Sequence, residues 1–177
     1  MGMPLRVRTT PPTEADRADY LEAMRRSREL HGEWIDPPTT DEGFDELLER
    51  HSGTDFEGFL IRRVSDGALV GACNLSQIIR RDFQNAFLGY GAVRGFEGQG
   101  LMREGLGLVL DDAFGRLGLH RVEANVQPGN ESSRLLLERL GFVREGFSEN
   151  YLQVAGAWRD HERWAIRSEI WRGSAED

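Results

Sequence analysis

From Leu5 to Thr10 apolar and polar residues alternate, as in a strand with one covered face. Pro11 and Pro12 end it. Residues 13–30 (TEADRADYLEAMRRSREL) then predict one helix, with Thr13 as its cap, Asp16 in its first turn, and Tyr20, Leu21 and Met24 on one side. After a loop over WIDPPTTDEG, residues 44–51 (FDELLERH) predict a second, short helix. From Phe56 the period shifts to two. Residues 56–64 and 68–79 predict strands joined at Ser65-Asp66-Gly67, and residues 86–93 predict a third after a turn at RRDFQN. Met102, Leu106, Val109, Ala113 and Leu117 then recur at spacings of four, three, four and four. That is the period of a helix opening near Leu101 and running to about Leu117, with Gly118 to end it. Residues 120–127 predict a strand. Residues 131–140 predict a helix, with Asn130 as N-cap and Gly141 in the left-handed position that lets Phe142 pack back. Residues 142–154 and 158–171 predict two last strands around Ala155-Gly156, with Trp158, Asp160 and Trp164 closing the sheet and core.

The order is therefore β, α, α, β, β, β, α, β, α, β, β. It predicts a mixed α/β (α+β) fold around one sheet, a single domain over residues 1–177 with no internal repeat or linker. A net charge of −8 argues against a nucleic-acid binder, which needs a basic face. All 22 basic residues are arginine, which excludes a Schiff-base lysine and a P-loop lysine. Cys73 is the only cysteine, so no intramolecular disulfide forms, and it reads as a small buried apolar side chain. MGMPLRVRTTPP lacks the apolar core of a signal peptide, Arg6 stands where myristoylation prefers Ser or Thr, and no segment reaches the ~18 apolar residues of a membrane span. A cytoplasmic protein with no membrane or nucleic-acid partner is expected. His31, His51, His120 and His161 show no metal-ligand spacing, so no metal is expected.

Candidate chemistry starts at VRGFEGQGLMREGL, residues 93–106. Gly95-x-x-Gly98-x-Gly100 reverses the dinucleotide fingerprint, and no Gly-Lys-Ser/Thr follows, so both common nucleotide motifs fail. What remains is physical: three glycines let the backbone turn sharply and aim N–H groups at an anion, and the following helix adds its positive end. Arg94 and Arg103 flank the loop. A diphosphate suits such a feature; a tight turn with no ligand is the plainer alternative. The second cluster is NVQPGNESSRLLLERLGF, where Asn130 and Ser133, taken alone, read as ordinary capping residues.

Together the two clusters resemble the Gcn5-related N-acetyltransferase (GNAT) superfamily, in which a Q/R-x-x-G-x-G/A loop and helix are followed by a strand and an N-x-x-S/A…GF helix. FLGYGAVRGFEGQGLMREGL, HRVEANVQPGNESSRLLLERLGFVREGF and YLQVAGAWRDH are similar to the ribosomal-protein alanine N-acetyltransferase group. The resemblance implies a single GNAT-like domain, a mixed, mostly antiparallel sheet of about seven strands flanked by about four helices. It implies acetyl-CoA as cosubstrate. The acyl carbonyl would lie against a backbone N–H among Tyr90, Gly91, Ala92 and Val93. The diphosphate would lie on Arg94, Gly95, Gly98, Gln99 and Gly100 and on the helix start at Leu101 and Met102, with Asn130 and Ser133 completing the contacts. Two departures stand out. The family's Q/R position falls on Gly95, and the tyrosine that many members place seven residues after the asparagine is Leu137.

Acetyl transfer then needs a neutral amine, a polarised carbonyl and a proton for the thiolate. Ser133 is the candidate for protonating the thiolate or holding coenzyme A; Glu149, then Glu123, are candidates for the general base; each carboxylate reads equally well as a solvated surface group. Trp34 and Ile35 are expected on the acceptor side. The leading expectation is acetylation of a protein N-terminal amine. The alternatives are a small-molecule acetyltransferase (amino acid, polyamine or antibiotic) and a non-catalytic acyl-CoA sensor. Edge strands near the C-terminus leave a homodimer open.

Overall fold

The structure, a computed structural model, describes residues 4–174; residues 1–3 and 175–177, the ends of the expected 1–177 domain, lie outside the described residues. Strands β1 (Val7–Thr10), β2 (Phe56–Arg63), β3 (Leu69–Ile79) and β4 (Asn85–Ala92) form an antiparallel meander. β5 (Arg121–Val126) lies parallel to β4. The hairpin of β6 (Val143–Val154) and β7 (Ala157–Arg167) folds back so that β7 pairs β5 and β6 takes the edge. The seven-stranded order is β1-β2-β3-β4-β5-β7-β6.

Helices cover both faces of this sheet. On one face α4 (Leu101–Phe114) and α5 (Glu131–Arg139) press Leu106, Leu110 and Leu137 onto Ile61, Leu75 and Leu88. On the other, α1 (Arg17–Arg26), α2 (Arg28–His31) and α3 (Asp41–His51) bring Tyr20, Met24 and Phe44 onto Leu60, Leu69 and Val93. The two faces follow from the period of two: each strand gives alternate residues to alternate cores. No described helix is long and apolar enough to cross a membrane.

Four expectations need correction. The helix predicted over residues 13–30 is two helices behind a 3₁₀ turn at Glu14–Asp16, which makes five α-helices among the described residues rather than about four. The break is at Ser27, fully buried, whose Oγ donates to the Ala23 carbonyl (2.6 Å) and accepts from the Arg94 N–H (2.9 Å). A hydroxyl that competes for the backbone inside a helix weakens the next turn, and here it ties the helix pair to the end of β4. α3 starts at Asp41, not Phe44, because Thr40 caps it by accepting from the Gly43 N–H (3.1 Å). α4 ends at Phe114, three residues early, with Gly115 rather than Gly118 as its C-cap; Gly118 is left-handed, and the Leu117 and Leu119 N–H groups reach back to Asp112 and Ala113 in wider turns. Trp164 is buried, whereas Trp158 is 62% exposed, since it stands near the tip of the β6–β7 hairpin.

Ser27→Ala leaves the Arg94 N–H without its partner, and the expected cost is about 1–3 kcal/mol. Urea denaturation should show a lower midpoint at unchanged slope; a midpoint equal to wild type would mean that the bond contributes nothing to stability.

Candidate active site

The site begins where the sheet comes apart. β4 and β5 pair over only Asn85–Phe87 and Arg121–Glu123, and beyond Phe87 they diverge. In this stretch β4 is held on its other edge by β3, and the Val93 N–H donates to the Val70 carbonyl (2.7 Å). Alternation along the strand therefore turns the N–H and C=O groups of Tyr90 and Ala92 to the open edge. The Ala92 carbonyl is taken by His31, whose Nε2 donates to it at 2.8 Å. Of the four residues expected to face an acyl carbonyl, Val93 has its N–H engaged, and Tyr90 and Ala92 present theirs to the gap.

Across that gap stands the start of α5. Asn130 caps it by accepting from the Ser133 N–H (3.2 Å), which fixes the Ser133 side chain in the first turn. Ser133 Oγ lies 2.7 Å from the Tyr90 hydroxyl, 43 residues away in sequence. Burial pushes the Tyr90 phenol up to about 12, against a smaller lowering by Ser133, so it stays protonated at any working pH. Leu137 is fully buried in the core and offers no polar group here.

The glycine loop lies on the α4 side. Gly95, Gly98 and Gly100 have φ of +98°, +71° and +75°, and a Cβ at Gly95 or Gly98 would meet nothing within 4 Å. The glycines thus serve the backbone's left-handed turns, not close packing. Gly100 is the N-cap of α4, and no cap side chain occupies the N–H groups that open the helix at Leu101 and Met102. The loop's affinity for negative charge is visible in Glu97. Its own N–H, with those of Gly95 and Phe96 and the Arg94 charge, holds its carboxyl below the usual range despite partial desolvation. The Gly95 N–H alone reaches it at 2.5 Å. Backbone N–H groups that hold a carboxylate oxygen can equally hold a phosphate oxygen, so the loop's donor set fits a diphosphate.

Arg94 is half exposed and pairs with Glu29 (2.5 Å), with Glu97 close enough to feel its charge. Arg6 was not foreseen, because it precedes β1 and is 93 residues from its partner Gln99. Its guanidinium donates to the Gln99 carbonyl (3.1 Å), is held by Glu104 (2.9 Å), and passes 3.4 Å from where a Gly100 Cβ would sit.

On the opposite face of the sheet lies a half-open cavity of about 280 Å³. Register puts Gly58, Asn74 and Gly89 side by side on its floor, with Ala72 and Gly91 beside them. Its charged lining residues are Asp36, Glu46 and Arg50, the last stacked 4.1 Å over the Phe56 ring. Tyr90 borders it and bonds to Ser133 on α5, so the cavity reaches the split in the sheet.

The remaining expected residues divide. Ile35 lines the cavity, whereas Trp34 does not; its backbone carbonyl and that of Glu33 accept from Gln127 Nε2 (3.2 and 2.7 Å), strapping this segment to the end of β5. Glu123 is tied to Arg121 (3.0 Å). Glu149 is exposed and makes no hydrogen bond or ion pair with any described residue. Neither carboxylate lines the cavity. Cys73 is buried, and desolvation raises its pKa far above the usual thiol range, so it is no nucleophile. Nothing in the segment around His31 marks its part in the site, because its partner, the Ala92 carbonyl, is on β4.

Comparison with known proteins gives consistent matches. A family model described as "Acetyltransferase (GNAT) domain" covers residues 6–143. Over 121 residues the chain is 41% identical to "Probable N-acetyltransferase YjcK" of Bacillus subtilis, covering 68% of this chain and 67% of that one. Over 103 residues it is 37% identical to the ribosomal protein uS5-alanine N-acetyltransferase of Escherichia coli, covering 58% of this chain and 53%, about half, of that enzyme. The solved structure of Mycobacterium smegmatis RimJ in complex with CoA-disulfide superposes with a TM-score of 0.84 at 28% identity, over 96% of this chain and 86% of that one.

If the loop is an anion cradle that Glu97 fills, Glu97→Gln removes a competing charge. Inorganic pyrophosphate at low ionic strength should then raise the melting temperature more in the variant than in wild type. A smaller rise in the variant would contradict the cradle.

Proposed function

This chain belongs to the GNAT family of acetyl-CoA-dependent N-acetyltransferases, and we propose that it acetylates the N-terminal α-amino group of a protein, with alanine-starting ribosomal proteins as the first acceptors to try. The observation that carries this reading is the cavity on the face opposite the glycine loop. Its charged lining residues are two carboxylates and one guanidinium, Asp36, Glu46 and Arg50, and much of the rest is apolar or glycine. A linear polyamine brings several positive charges and needs several carboxylates in line to bind well. A peptide N-terminus brings one amine, a small side chain and a backbone. The 37% identity to the ribosomal protein uS5-alanine N-acetyltransferase of Escherichia coli supports the same choice.

In this reading the backbone of Gly98, Gln99 and Gly100 and the first N–H groups of α4, at Leu101 and Met102, hold the diphosphate of acetyl-CoA. The N–H groups of Tyr90 and Ala92 point into the split and polarise the acyl carbonyl, stabilising charge that develops in the transition state. Ser133 faces the departing sulfur. The amine enters from the cavity side and attacks the carbonyl directly. A free α-amino group has a pKa of about 7.7–8, so at neutral pH the base need remove only a proton already loosely held. Glu149, whose carboxylate pairs with no described residue, is the first candidate to take it, through water. Glu123 is neutralised by Arg121. A net charge of −8 steers basic acceptors toward the protein.

Acetyl-CoA with a panel of alanine- and serine-starting peptides, spermidine, free amino acids and an aminoglycoside tests the proposal. Mass spectrometry should find the acetyl group on the peptide α-amine, with turnover on the small amines lower by tenfold or more. Strong turnover on spermidine or an amino acid with none on peptides would replace the peptide acceptor by that amine. Acetyl-CoA binding with no transfer to any amine would favour a sensor.

A further inference from the structure

The Tyr90–Ser133 contact has no counterpart in the roles given so far, which use only the backbone of Tyr90. We infer that Tyr90 is a positioning residue: its phenol donates to Ser133 Oγ and thereby turns the Ser133 hydroxyl hydrogen toward the leaving sulfur of coenzyme A. The inference rests on the acetyl-transfer reading of this site.

Three observations carry it. The oxygens are 2.7 Å apart, a full hydrogen bond. Tyr90 points into the α4–α5 side of the sheet, where its strand neighbour Leu88 and the α5 residue Leu137 are apolar and buried, and its hydroxyl bonds to Ser133. Both side chains are half-buried, and Ser133 sits on the first turn of α5, while burial desolvates the phenol enough to raise its pKa. If Ser133 donated to it, the phenol hydrogen would be left without a partner in that desolvated setting, which is costly. With the phenol donating, both groups are satisfied, and the serine's one hydrogen is free to face outward. A serine alone rotates; a serine whose lone pair is filled by a fixed donor has its O–H aimed and polarised. Burial reinforces this, since a phenol that never ionises in the working range never stops donating.

Neither residue changes covalently. As the amine nitrogen bonds to the acyl carbon, the carbon–sulfur bond breaks and its electron pair stays on sulfur, where the Ser133 O–H donates to it. The proton lost by the amine balances the one the thiolate finally takes up from solvent. The pair thus does, from β4 and the first turn of α5, what Leu137 cannot do from the middle of that helix.

A double-mutant cycle on Tyr90→Phe and Ser133→Ala tests the inference, run with whichever amine the wild-type enzyme accepts, because the thiolate departs whatever the acceptor. Tyr90→Phe should lower kcat about tenfold, the effect of a hydrogen bond to a charged group, with KM for acetyl-CoA within about twofold. The double variant should be no slower than Ser133→Ala alone. Losses that multiply, a change in KM only, or a Tyr90→Phe enzyme as fast as wild type would each overturn it. A measurement independent of turnover keeps it falsifiable if no acceptor is found. Coenzyme A should bind wild type more tightly as pH rises through the titration of its thiol, because the bound thiolate is stabilised. In either variant the rise should be smaller; an equal rise in all three proteins would overturn the inference.

Discussion

Everything in this site depends on a sheet that stops pairing. A parallel strand pair inside a seven-stranded sheet ordinarily satisfies every backbone group along its length. Here β4 and β5 part after Phe87 and Glu123, and the fold must deal with two inner edges. It does so unevenly. His31 takes the Ala92 carbonyl, and Gln127 reaches over to the Glu33 and Trp34 carbonyls, so the α2–α3 segment is bonded to both sides of the gap. The N–H groups of Tyr90 and Ala92 remain for a ligand. An active site made this way has its hydrogen-bond donors built into the sheet itself, and their positions are as rigid as the core beneath them.

The split also explains why the chemistry can be direct. The glycine loop and the α4 N-terminus lie to one side of it and the cavity of Asn74 and Gly89 to the other; Tyr90 lines the cavity and bonds to Ser133 at the start of α5. Two substrates can reach one point from opposite faces without displacing each other. The electrostatics agree: the loop side gathers backbone N–H groups and the Arg94 charge around the Glu97 carboxylate, while the cavity side carries a small negative balance suited to a protonated amine before it binds. With Cys73 buried and its thiol kept neutral, no covalent relay through the protein's cysteine is available.

Local signals in the sequence were read well. Gly95, Gly98 and Gly100 mark a left-handed loop, Asn130 caps α5, and Gly141 closes it, with the Phe142 N–H on the Leu137 carbonyl at 3.0 Å. Each is decided by chain geometry within a few residues. The misses have the opposite character. The helix break at Ser27 needs Arg94; the roles of His31 and Arg6 need Ala92 and Gln99; the Tyr90 hydroxyl needs Ser133. These partners lie far apart in sequence, and no periodicity announces them. Trp158 was placed in the core on residue type alone, although a hairpin tip beside an edge strand has no second layer to bury it.

The central claim is that amine and thioester meet in one ternary complex at the split. Initial-rate kinetics test it most directly: rates measured across a grid of acetyl-CoA and acceptor concentrations. Direct transfer predicts double-reciprocal lines that intersect. Parallel lines, the pattern of an acetylated enzyme formed and then discharged, would contradict the account.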